Sequence, residues 1–274
     1  MRVRPIEAGD VQACAEIEWA AFGGGGSAAE ARRLIERLVA NPGVYGVVAE
    51  IDGAVVGLNF LYEHDPIRGV GPLAVAPAAQ GRGAGRKLME AVLERAEGAA
   101  GVRLMTGNPN ALGLYASLGL EVTEPIAILR GRFRSAPVAG AVVRPMRAED
   151  LAAAAGLCER VHGFGRIGDL REALATSGDP VALERDGRLV AYASHRGLGD
   201  AAHGVAQTDA DLRALLLGLA PPEGATLSMF FPARSAELLR WCLDEGLRVR
   251  HQQVLMVKGE YRAPRGAWFA SSWY

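Results

Sequence analysis

Three cysteines in 274 residues are too few, and too far apart, for a disulfide framework. Cys14, Cys158 and Cys242 sit within apolar helical patterns, which reads them as buried thiols of a reducing compartment. Histidine and cysteine nowhere cluster at zinc spacing, so no metal is expected. No apolar run approaches the ~20 residues of a membrane span, and the charged N-terminus lacks a signal-peptide core. The net charge is −1, so no bulk field recruits nucleic acid or anionic membrane. Aromatic residues amount to 6% and do not interleave with a basic stretch, which further disfavours nucleic acid. What remains is a half-apolar chain with room for two cored domains. It is expected in the cytoplasm, as a monomer or homodimer.

The chain's most informative stretch is Gln80-Gly81-Arg82-Gly83-Ala84-Gly85. Before it runs the apolar strand-like segment Val70 to Pro77. After it runs Arg86 to Ala96, with Leu88, Val92, Leu93 and Ala96 at helical spacing. A strand, a glycine-rich turn and a helix N-terminus make an anion cradle, because backbone N–H groups and the helix dipole converge there. A P-loop is excluded, since Gly85 is followed by Arg86, Lys87 and Leu88 with no hydroxyl for magnesium. A dinucleotide fingerprint is excluded too, because counting from Gly81 and Gly83 the last glycine is replaced by Arg86. The pattern that fits is Gln/Arg-x-x-Gly-x-Gly/Ala, read as Gln80, Gly83 and Gly85.

This resembles the pyrophosphate loop of the GNAT superfamily of N-acetyltransferases, and a second motif supports the resemblance. Asn108, Ala111, Leu114-Tyr115 and Gly119 match the superfamily's Asn-x-x-Ala-x-x-Leu-Tyr-x-x-x-Gly-Phe, with Leu120 in place of Phe. The likeness covers residues 1–131. It implies acetyl-CoA as co-substrate and an α/β (α+β) fold whose mixed, mostly antiparallel sheet is flanked by helices. It also implies that Leu73, Ala74 and Val75 offer main-chain groups to pantetheine, with the Val75 N–H nearest the oxyanion role. Gln80, Gly81, Arg82, Gly83, Ala84, Gly85 and Arg86 would cradle the pyrophosphate, and Asn108 and Tyr115 would lie beside the cofactor arm. Tyr115 is the candidate general acid for the leaving thiolate, the alternative being a tyrosine that only packs its helix.

The sequence also repeats itself. Val3-Arg4-Pro5 through Asp10-Val11 recurs as Val143-Arg144-Pro145 through Asp150-Leu151, each reading as strand, cap and helix. Val47 to Gly57 parallels Val181 to Ala191, two strand-like runs joined through Asp-Gly. Gly119-Leu120-Glu121-Val122 parallels Gly246-Leu247-Arg248-Val249. We therefore expect two GNAT-like domains, residues 1–134 and 142–274, joined by a linker at 135–141. The second copy has no Gly-x-Gly, carries Asp209 and Asp211 near the equivalent helix start, and places Cys242 at the position of Tyr115. It reads as a degenerate copy. One competent and one degenerate domain in tandem is similar to the architecture of mycothiol synthase and the enhanced-intracellular-survival acetyltransferases.

The general base is less constrained. Glu63, His64 and Asp65 follow the third strand, and Glu63 ranks first, with Glu18 behind it. The aromatic tail ending Trp268-Phe269-Ala270-Ser271-Ser272-Trp273-Tyr274 is expected to dock. Similarity to the enhanced-intracellular-survival family offers the Tyr274 carboxylate as a further candidate, against a tail that merely staples. Gly23-Gly24-Gly25-Gly26-Ser27 reads as a mobile lid on the acceptor side. The acceptor is expected to be the primary amine of a small molecule or peptide. The rival reading is a non-catalytic acyl-CoA-binding sensor or scaffold.

Overall fold

The computed structural model describes residues 1–22, 27–176, 178–199, 201–219 and 226–272. The chain divides into two compact units, Met1–Arg103 and Leu104–Tyr274. Both are mixed α/β, with open, mostly antiparallel sheets flanked by helices, as expected.

The first unit holds β1 (Arg2–Pro5), α1 (Val11–Phe22), α2 (Ala28–Ala40), β2 (Val44–Ile51), β3 (Ala54–Tyr62), β4 (Ile67–Val70), β5 (Ala74–Val75) and α3 (Ala84–Arg95). It closes on the start of β6 (Gly101–Thr106). Strands pair in the order β1-β2-β3-β4-β6, with β5 continuing along β3. Every pairing is antiparallel except that of β4 with β6. The β2–β3 hairpin turns at Asp52 and Gly53, both at positive φ (52° and 81°), which explains the Asp-Gly pair there. The alternation of β3 then sorts its side chains. Leu58 and Phe60 join Cys14, Ile17, Ile35, Val48 and Ala74 in the core beneath α1 and α2, while Asn59 turns the other way, to α3.

The second unit holds α4 (Pro109–Ser117), β7 (Glu121–Gly131), β8 (Val142–Pro145), α5 (Leu151–His162), α6 (Ile167–Ala175), β9 (Val181–Arg185) and β10 (Arg188–Ala193). These are followed by β11 (Gly204–Ala206), α7 (Asp209–Gly218), β12 (Leu227–Pro232), α8 (Ala236–Asp244), β13 (Arg248–Gly259) and β14 (Ala267–Phe269). β7 is antiparallel to β13 on one side and to β12 on the other. A second sheet runs β14-β11-β10-β9-β8. The compact division therefore falls at Arg103 rather than at residues 135–141, because β7 finds both of its partners beyond that stretch.

The order β1-α1-α2-β2-β3 recurs as β8-α5-α6-β9-β10, and so does the contact behind the repeated Arg-Pro and Asp. Arg4 holds Asp10 through two hydrogen bonds of 2.7 and 2.8 Å and Glu50 at 3.0 Å. Arg144 holds Asp150 at 2.7 and 2.8 Å and Glu184 at 2.9 Å. In each case the aspartate also accepts a backbone N–H, from Glu7 or Arg147, so one ion pair fixes strand, turn and helix together.

Part of the tail pairs into the second sheet. β14 adds to the edge of β11, with Phe269 opposite Gly204 and Trp268 opposite Val205. The Ala270 N–H then reaches the Phe230 carbonyl on β12 at 2.8 Å. All three cysteines are buried. Burial pushes the Cys14 and Cys242 thiols up to about 12, which keeps them protonated and poor nucleophiles.

Candidate active site

The strand expected before the glycine turn is interrupted. β4 pairs with β3 at Leu61↔Val70 and β5 resumes at Leu58↔Ala74. Pro72 and Leu73 thus stand opposite the single residue Asn59, a bulge that re-aims the strand. β4 follows β6 only through Gly69↔Arg103, and β5 pairs with β3. Along β5 the other edge is open among the described residues.

Alternation fixes which main-chain groups face that edge. Ala76 N–H donates to the Val56 carbonyl at 2.9 Å, so the Val75 N–H and C=O between the paired positions Ala74 and Ala76 point away from β3. The Val75 carbonyl is engaged there by Gln80, whose Nε2 donates to it at 3.1 Å. The Val75 N–H faces the open edge, the orientation an oxyanion donor needs.

The glycine turn follows at once. Gly81 and Gly83 are left-handed, with φ of 73° and 86°, a conformation costly for other residues. Gly83 is the N-cap of α3 and offers no side chain to the helix start. No acidic residue lies in the first turn, and the first intrahelical bond runs from Lys87 N to Gly83 O at 3.2 Å. The N–H groups of Ala84, Gly85 and Arg86 precede that bond and remain available to an anion. Arg82 is exposed, and Arg86 pairs with Glu90 at 3.6 Å. These residues fit a pyrophosphate-bearing cofactor, with backbone donors at one end and an open strand edge leading away.

The corresponding helix start in the second unit is closed. Thr208 caps α7, its hydroxyl accepting from Asp211 N at 3.1 Å and donating to the Asp211 carboxylate at 2.6 Å. Asp211 also meets Arg185 at 3.1 Å. Side chains of the chain itself take the place an anion would occupy.

Tyr115 lies on α4 in the second unit and is buried. Burial pushes its phenol up to about 12, so it stays protonated at neutral pH, as a proton donor must. Asn108 caps the same helix, accepting from Asn110 N at 2.9 Å and Ala111 N at 3.3 Å. Glu63 is held by Arg95, which donates to both carboxylate oxygens at 3.1 Å and stacks on Tyr45, 5.0 Å from the ring centroid. The His64 ring lies against Gly43, where any side chain would collide with it, and Asp65 is buried. Glu18, on α1, is half-buried, and burial raises its carboxyl above the ordinary range. Gly23 to Gly26 and Tyr274 lie outside the described residues.

One residue of this unit escaped the sequence reading. Asn59 is fully buried; its amide donates to the Leu88 carbonyl at 3.4 Å and its oxygen accepts from Phe60 N at 2.9 Å. It ties β3, opposite the bulge, to α3. A lone amide in the apolar run Gly57-Leu58-Asn59-Phe60-Leu61 was the available signal.

Residues 11–120 match the model of the acetyltransferase (GNAT) family. No curated protein matches the chain. Among solved structures, a protein of Pyrococcus horikoshii described as a candidate acetyltransferase aligns over 94% of this chain and 89% of its own, at 18% identity and a TM-score of 0.77. A GCN5-related N-acetyltransferase from Sphaerobacter thermophilus aligns over 96% of both chains, at 19% identity and a TM-score of 0.60. One from Kribbella flavida covers 94% of this chain and 71% of its own, at 19% identity and a TM-score of 0.59. Those likenesses establish the fold, and the acetyltransferase family pattern lies within residues 11–120.

Proposed function

We propose that the chain is an acetyl-CoA-dependent N-acetyltransferase that moves an acetyl group to the primary amine of a small molecule or peptide. The reading is supported above all by the continuity of β5's open edge with the uncapped, acid-free start of α3. One edge presents main-chain groups to an amide-bearing arm and the other end presents N–H groups to its phosphates. The thioester arrives activated, so the protein must orient it, polarise its carbonyl and manage two protons. The Val75 N–H is assigned the carbonyl. Tyr115 is assigned the proton given to the thiolate as the C–S bond breaks, a role that rests on its place in the second motif.

In the same reading residues 1–134 form the working copy and 142–274 the degenerate one, in a cytoplasmic protein. Glu63, which must first leave Arg95, and the Tyr274 carboxylate are alternatives to Glu18 as the base. Calorimetric titration with acetyl-CoA tests the whole. One site per chain, abolished by Gly83→Asp with Gly85→Asp, is expected; a folded wild type that binds none sinks the reading. The rival, a non-catalytic acyl-CoA sensor, predicts binding with no release of free CoA in any condition.

A further inference from the structure

The second unit carries its own extended segment on the strand edge that corresponds to the open edge of β5. Ala206 stands opposite Ala191 and Val205 opposite Tyr192, as Val75 stands opposite Gly57 and Ala74 opposite Leu58. Since Gly57 and Ala191 are matched in the sequence repeat, β11 occupies β5's place. β14 lies along the far edge of β11 and covers the end of α5. The Trp268 ring meets His162 edge-on, with centroids 5.1 Å apart. Arg265 N–H donates to the Val161 carbonyl at 2.8 Å. Cys158 is wholly buried in one cluster with Tyr192, Val205 and Trp268.

The same repeat matches Leu151 to Val11, and therefore Cys158 to Glu18 and His162 to Phe22. α1 packs on β5, sharing a core that includes Ala74. At its end Phe22 is 54% exposed. A molecule on β5's open edge consequently runs past Glu18 as the tail runs past Cys158. The direction follows as well. β14 begins opposite Ala206, near the start of α7, and ends opposite Gly204. The equivalent path starts at the α3 cradle and moves toward the start of β5, so a cofactor anchored by its phosphates brings its reactive end to Glu18's part of the groove.

We propose that Glu18 is the carboxylate that receives the acceptor as a primary ammonium and takes its proton. The proposal rests on the acetyl-transfer reading and names its base and acceptor class. Glu18 is suited by environment, since burial favours its protonated form and makes it a stronger base than an exposed carboxylate. The exposed Phe22, one turn away, adds a ring that attracts cations. In the step, an ammonium N–H bond breaks and the proton passes to the Glu18 carboxylate. The freed amine then forms a bond to the thioester carbon as the C–S bond breaks. The thiolate takes one proton, the new amide nitrogen gives one up, and Glu18 discharges its proton to water, so one proton is released per turnover.

The test uses the full chain, acetyl-CoA, phenethylamine as the ammonium probe and 2-phenylethanol as its neutral counterpart, with free thiol as the readout. The amine is expected to accelerate CoA release and the alcohol is not. Glu18→Gln should lower the amine-dependent kcat by about 100-fold or more, with the KM for acetyl-CoA unchanged. Glu18→Asp, which keeps the base but shortens its reach, should recover part of the loss. Unchanged turnover in Glu18→Gln overturns the assignment, as does a wild type that binds acetyl-CoA but responds equally to alcohol and amine. Failure to bind acetyl-CoA at all would instead remove the reading beneath it.

Discussion

The side chain of Gln80 donates to the main-chain carbonyl of Val75 at 3.1 Å. The bond joins the residue that opens the glycine turn to the strand residue whose N–H faces the open edge. It occupies the Val75 carbonyl and ties β5 to the start of the glycine turn. Gln80→Ala should therefore raise the KM for acetyl-CoA by about tenfold, equal to about 1.4 kcal/mol, the scale of one hydrogen bond. Melting temperature should move little. Steady-state kinetics over a range of acetyl-CoA checks it, and an unchanged KM would confine Gln80 to a passive role.

At Gly83 backbone and ligand requirements coincide. Its φ of 86° penalises any side chain, so Gly83→Ala should cost about 1 kcal/mol of stability in a denaturant titration. Gly83→Asp adds a like charge facing the phosphates, and acetyl-CoA affinity should fall much further than in the alanine variant. Equal affinities in the two variants would argue against an anion at this helix start.

Tyr115→Phe keeps the ring and removes the proton. With the phenol pushed up to about 12 by burial, wild type should hold its activity through pH 9 without an alkaline limb from this group. The variant should lose about 100-fold in kcat and keep its affinity for acetyl-CoA. A loss confined to stability would leave Tyr115 as packing.

The twin ion pairs predict a pH dependence of folding. Hydrogen bonds from Arg4 and Arg144 hold Asp10 and Asp150 below the usual carboxylate range. A folded pKa below the unfolded value near 3.9 means that each pair contributes fully above about pH 4–5, and the contribution fades as the carboxylate protonates. Arg4→Met should cost roughly 2 kcal/mol at pH 7. The gap to wild type should shrink below about pH 4 in urea titrations; a gap constant down to pH 3 contradicts the linkage.

Asn59 is a packing prediction. Asn59→Leu removes the bonds to Leu88 and Phe60 and leaves the Leu88 carbonyl to its helix alone. A loss of about 1–3 kcal/mol is expected, together with weaker acetyl-CoA binding as the bulge opposite it relaxes.

Local chemistry was the part most readily read from the residues. Asp52-Gly53 announced its hairpin, and Gly81 and Gly83 announced a turn at a helix start. The repeated Arg-Pro and Asp were visible as a repeat, but the ion pair that gives it meaning required the pairing of β1 with β2 and β8 with β9. Non-local partners left no such trace. Nothing in Glu121 to Gly131 says that its neighbours are β12 and β13, nor does Glu63 reveal its grip on Arg95.

The position of β7 bears on how the protein is made. Its two partners begin at Leu227 and Arg248, so on the ribosome both of its edges stay bare while most of the second unit is synthesised. Bare edges invite pairing with other chains. A gene cut at residues 135–141 would freeze that vulnerable moment, and its N-terminal product should aggregate or exchange strands rather than stand alone. The two repeats read as modules, yet they are bound to be expressed, purified and inherited as one.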